Sequence, residues 1–147
     1  MKKRNIRYLL VILLFTSVLT FYLITANTTF QNEVTDHLNI DEISQFNVIK
    51  VNGEEADTIY VSEQNQINSV LTDLSNLDLR KVFSIKRDNS EWYVLMIGVN
   101  GKIRYTINIY GKKYISITDH ASTNSTGSNK YKISSDFDVK TLQDLFK

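Results

Sequence analysis

The chain has 147 residues, with 17 Lys and Arg against 16 Asp and Glu, two His, and neither cysteine nor proline. Without cysteine there is no disulfide framework, no thiolate nucleophile and no residue to carry an N-terminal lipid, and two histidines cannot make an imidazole-rich metal centre. Four basic residues, Lys2, Lys3, Arg4 and Arg7, precede every acid, which leaves 13 basic against 16 acidic residues beyond them; that balance argues against nucleic acid as a partner.

Residues 8–26, YLLVILLFTSVLTFYLITA, are nineteen positions without a charge. As a helix they span about 28 Å, close to the hydrocarbon thickness of a bilayer. Thr16, Ser17, Thr20 and Thr25 can bond back to a carbonyl one turn earlier, and Tyr8 and Tyr22 stand near the ends, where amphipathic rings favour the interface. The basic residues lie before this run, whereas Glu33 and Asp36 come before the first lysine after it, Lys50. The positive-inside rule then places 1–7 in the cytoplasm and everything after 26 outside, as a single-pass protein of the cell membrane. The alternative is a signal peptide cut near Ala26 and a secreted product, for which the apolar run is long against the usual 7–15 or so residues.

Residues 27–42 are polar with isolated apolar positions and no sustained period, which predicts a stalk. His37 falls in it, and a His37–His120 metal site lacks further donors; no metal and no cofactor is assigned. Residues 43–147 read as one α+β domain. Phe46 to Val51 and Thr58 to Val61 predict a strand pair, with Asn52-Gly53 as the turn and the acids Glu54, Glu55 and Asp57 lengthening it. After Ser62 as N-cap, Ile67, Val70, Leu71, Leu74 and Leu77 recur at helical spacing, an amphipathic helix packing the sheet. Positions 79–85 predict a strand, and 86–91 a charged turn.

Trp92 to Val99 runs into Asn100-Gly101, a strong signal for a two-residue type I′ hairpin. Extrapolated from that turn, the register sets Met96 against Tyr105, Val94 against Ile107 and Trp92 against Ile109 on the core side. Tyr93, Leu95 and Ile97 then fall on the opposite side as a candidate interaction surface, to be covered either by another element or by a partner. A three-residue loop at Gly111-Lys112-Lys113 sets Ile109 against Ile115 and Ile107 against Ile117. Residues 119–129 predict a polar loop, 130–133 an edge strand guarded by lysines, and the end of the chain a short helix capped by Ser135 or Asp136, with Val139, Leu142, Leu145 and Phe146 on one face. Asn27 and Asn124 head glycosylation sequons, to which a bacterial-looking composition gives no weight.

The order strand pair, amphipathic helix, antiparallel meander and C-terminal helix resembles the YhfM-like extracytoplasmic domains of Gram-positive bacteria, through Thr58-Ile59-Tyr60-Val61 leading into 67–77, then 102–117 and 139–146. The resemblance implies an extracytoplasmic domain of unknown function and gives no catalytic residues to carry over, and its lipoprotein members carry a cysteine that this chain lacks.

No catalytic constellation stands out: there is no Ser or Cys beside a histidine and an acid, and no phosphate-binding glycine loop. The expectation is a membrane-anchored, non-catalytic interaction module of the cell envelope, its partner a protein or envelope component. The alternatives are a secreted or tethered inhibitor or immunity-type factor, and a hydrolase with an unrecognised carboxylate site.

Overall fold

The structure, a computed structural model, describes residues 3–86, 91–122 and 127–147, without the side chains of 3–7, 19 and 21–25. The middle of the predicted charged turn, the tip of the polar loop and the sequon at Asn124 lie outside the described residues.

The first helix, α1 (Lys3–Ala26), carries the apolar run. Tyr8 to Phe15 and Val18 are each 55–69% exposed. Thr16 and Ser17 donate to the Leu13 carbonyl at 2.9 and 2.8 Å, and Thr20 to Thr16 at 2.8 Å, so these hydroxyls are satisfied within the helix. Among the described residues no helix is long and apolar enough to cross a membrane; the described side chains of α1 cover 8–18, 20 and 26.

The predicted stalk is instead part of the domain. β1 (Asn27–Thr29) follows α1 without a linker, and α2 (Phe30–Glu33) follows β1. Phe30 and Val34, four positions apart and so on one face of a helical turn, are fully buried. Thr29 Oγ1 caps the turn by accepting from Asn32 N at 3.2 Å, and Phe30 N donates to Leu77 O at 3.0 Å. Two large apolar side chains, each worth about 2 kcal/mol when buried, hold a segment whose average composition is polar.

The remaining elements are β2 (Ile43–Asn52), β3 (Glu55–Tyr60), α3 (Gln64–Ser75), β4 (Asp78–Lys81), β5 (Trp92–Val99), β6 (Lys102–Tyr110), β7 (Tyr114–Asp119), β8 (Asn129–Ile133) and α4 (Lys140–Asp144). The strands form one antiparallel sheet in the order β1-β4-β8-β7-β6-β5-β2-β3. The fold is α+β. β8 therefore sits inside the sheet and not at its edge: Lys130 and Lys132 alternate because one face of the strand is solvated, a pattern that an edge strand shares. The edges are β1 and β3.

The β2–β3 turn is shorter than its acids suggested, because Glu55 already pairs with Asn52. The helix α3 buries Ile67, Val70, Leu71 and Leu74 as spaced, with Leu77 just beyond; its N-cap is Glu63 instead of Ser62. At the C-terminus Ser135 Oγ accepts from Asp78 N of β4 at 3.1 Å, and the N-cap of α4 is Val139, so neither Ser135 nor Asp136 caps that helix.

The Asn100-Gly101 turn has φ of 52° and 76°, as type I′ requires. Its register then slips. Val99 pairs with Lys102 and Gly98 with Ile103, but Ile97 pairs with Tyr105, so Arg104 is an extra residue. β2 bulges at the same level, where Ile43 pairs with Val99 and Gln45 with Gly98, leaving Ser44 over. Gly98 lies between the two bulges, where a Cβ would come within 3.0 Å of the Gln45 Cβ. Ser44 Oγ ties the region together, accepting from Gly101 N at 2.9 Å.

From Tyr105 onward the slip turns the other face of β5 toward the core relative to the extrapolated register, while β6 keeps the facing expected of it. Tyr105, Ile107 and Ile109 now stand opposite Ile97, Leu95 and Tyr93. The three-residue loop places Ile115 and Ile117 against Ile109 and Ile107, as predicted. The row Val48, Leu95, Ile107, Ile117 thus crosses four strands on one face, at 4% exposure or less throughout, and α2, α3 and α4 add their buried side chains to the same cluster.

Candidate functional site

The predicted interaction surface is corrected by this register. Tyr93, Leu95 and Ile97 are at most 1% exposed and form the centre of the core. The Tyr93 hydroxyl donates to the carboxylate of Glu91, which also receives Lys50 Nζ at 2.9 Å and, more weakly, Gln143 of α4. Burial alone would raise the Glu91 pKa, but these three partners outweigh it and hold the carboxyl below its usual range. Burial first, and then the Glu91 carboxylate, push the Tyr93 phenol well above the usual tyrosine value. Phe146 closes the group, 6.2 Å from the Tyr93 ring and 5.9 Å from Lys50 Nζ. This cluster of Lys, Glu and Tyr fastens the C-terminal helix to the sheet.

The slip exchanges the two faces of β5: Trp92, Val94 and Met96, read from the sequence as core, stand half-buried on the face opposite the helices. Beside them in the ladder are Ile49 and Val51 of β2, and Tyr110 of β6, whose ring meets Trp92 edge-on at 5.5 Å. On β3 the same face adds Thr58 and the 75% exposed Tyr60. Farther across the sheet it turns polar and then basic, through Asn108, Ser116 and Lys130 in one row and Tyr114, Lys132 and Arg80 in the next. Sequence reasoning missed this surface, although an isolated glycine inside an apolar strand, Gly98, signals a bulge.

Two concavities are lined by polar and charged side chains. One, of about 310 Å³, lies where α2 and the turn after it meet the ends of β7 and β8, lined by Asn32, Glu33, His37, Asp119, Ser122 and Asn129 among others. Its two carboxylates are engaged in the fold. Glu33 accepts from the Tyr131 hydroxyl at 2.7 Å, and Asp119 binds Arg104 at 3.2 Å and the backbone N–H of Ala121 at 2.9 Å. Burial and the Glu33 carboxylate keep the Tyr131 phenol protonated far above its usual range. The other, of about 320 Å³, is the seam between α3 and α4, where Thr141 donates to Asp73 and Asp138 accepts from the backbone of Lys140.

The histidines are not brought together at a metal site. His37 lines the first cleft, whereas His120 Nε2 is 2.9 Å from Thr106 Oγ1, and among the described residues no three His, Asp or Glu side chains converge to hold a metal. No protein-family model matches the sequence, and no curated protein or solved structure does either.

Proposed function

We propose that the chain is a membrane-tethered extracytoplasmic interaction module, anchored through 8–26 and non-catalytic, which presents the outer face of its sheet to a protein or another envelope component. The observation that carries this reading is the one-sided sheet: α2, α3 and α4 cover one face, and the other holds Ile49, Val51, Trp92, Val94, Met96 and Tyr110 in contiguous ladder positions. A contiguous apolar and aromatic patch of this kind, with a polar flank, is the usual composition of an interface. The nineteen uncharged residues with a basic flank, the exposed apolar side chains of α1 and the YhfM-like order of elements support the tether. That the cleft carboxylates are bound to Tyr131, Arg104 and backbone supports a non-catalytic role.

A photo-crosslinking residue placed at Met96 in the full chain, in its native membranes, is expected to give a discrete adduct, with none from the solvent face of α3 at Asn68. An adduct pattern equal at the two positions, or absent from both, removes the proposed surface. Recovery of the full-length mass from the membrane fraction tests the tether, and a form beginning near Asn27 in the medium overturns it.

A further inference from the structure

Strand pairing fixes where the chain goes after β4. The register Asn27 with Arg80 and Thr29 with Asp78 is antiparallel, so β4 runs back toward the point at which α1 enters the sheet. Val82 stays on the ladder through its N–H to Lys130 O at 2.9 Å, and Phe83 has left it. Phe83 is 92% exposed, more than any of the large apolar side chains described in α1. An opposed pair plus three residues of extended chain bounds its backbone to within roughly 16 Å of Asn27, the residue that follows the apolar helix. Around it stand Arg80, Lys81 and Lys86, all exposed, with no acid between 79 and 86. None of the three takes part in an ion pair among the described residues.

We infer that 80–86 docks on the bilayer beside the anchor, with Phe83 seated at the boundary of headgroups and acyl chains and Arg80, Lys81 and Lys86 on anionic headgroups. The inference rests on α1 being the anchor. An exposed aromatic flanked by cations matches the chemistry of that boundary in a bilayer containing anionic lipid, apolar below and negatively charged above. A tether this short keeps the segment at high effective concentration next to the surface, so a contact too weak to recruit a free protein is enough to hold the domain. Docking would fix the β1–β4 edge against the membrane and leave the apolar β2–β3–β5 side of the outer face away from the anchor.

The chain has no cysteine of its own, so a single nitroxide can be placed at Ser84→Cys in the full chain, reconstituted in vesicles of phosphatidylcholine with phosphatidylglycerol. The reference is Glu54→Cys, in the turn at the far edge of the sheet. The label at 84 is expected to favour collision with oxygen over a water-soluble nickel chelate several-fold more than the label at 54. Lys81→Glu with Lys86→Glu, or phosphatidylcholine alone, should remove most of that difference. Equal accessibility at 84 and 54, in chains that float with the vesicles, overturns the docking and leaves the anchor standing. A label shielded from both reagents means a protein cover and also overturns it, and a difference that survives both the double substitution and neutral lipid removes the cations from the inference. Chains that do not float overturn the anchor itself.

Discussion

The two faces of the sheet are built from alternate residues of the same strands, yet they obey different rules. On the inner face, Val48, Leu95 and Ile107 lie side by side with no exposure, covered by α3 and its neighbours. One position along each strand, Ile49, Val94 and Asn108 make the adjacent row, half-buried and without a helix over it in the core cluster. Hydrophobicity does not distinguish Leu95 from Val94; what distinguishes them is which side of the pleat the helices occupy. Strand composition is thus a poor guide to facing when a central strand is apolar throughout.

The sharpest way to break this comparison is a charge at neighbouring positions. Leu95→Asp buries an unpaired carboxylate in the core and is expected to cost about 4 kcal/mol or more, enough to unfold much of the population, whereas Val94→Asp should cost about 1 kcal/mol in denaturant titration. Similar losses for the two would mean that the outer face is as closed as the inner one. Within the inner face, two tyrosines sharpen the test. The Tyr131 hydroxyl donates a hydrogen bond to Glu33, so Tyr131→Phe is expected to cost about 1–2 kcal/mol. The Tyr105 hydroxyl is buried with no hydrogen-bond partner among the described residues, under the Arg104 guanidinium that lies 5.2 Å from its ring, so Tyr105→Phe should be neutral or stabilise by up to about 1 kcal/mol.

The smallest effects are those of pH. The Glu91 carboxyl is lowered in the folded state, so its contribution is present above the ordinary carboxylate value and lost as pH falls through the folded one; Glu91→Gln should flatten that acid limb. The Tyr93 and Tyr131 phenols are raised, so their contribution is present below the ordinary tyrosine value, about 10, and is lost as pH rises above it. Phenolate absorbance from these two should then appear only together with loss of tertiary structure. Early ionisation of either would place it nearer to solvent than the sheet allows.

Local chemistry made much of this fold legible. Apolar spacing at Ile67, Val70, Leu71 and Leu74 identified α3 and its buried stripe, and Asn100-Gly101 identified its turn with the correct backbone signs. What failed was propagation: a turn fixes only the pair beside it, and one extra residue at Arg104 inverted the facing of Tyr93, Leu95 and Ile97 and so the candidate surface with them. The stalk was misread because two anchoring residues, Phe30 and Val34, are diluted by polar neighbours, although Thr29 ahead of them is a proper N-cap. The place of β8 was illegible for another reason, since its partners are set by strand order across distant parts of the chain.

That strand order also dictates when the sheet can be completed. β1 and β4 can pair once residue 81 exists, and β3, β2, β5, β6 and β7 once residue 119 does, but these are two separate ribbons. Only Asn129–Ile133 joins them, bonding β4 on one side and β7 on the other. Its β7 side closes a connection of only about ten residues, but its β4 side is non-local and of the kind that slows folding, since a loop of about fifty residues must close before those contacts form. A growing chain therefore holds two unfinished edges until residue 133 has been made, and β8 serves as the keystone.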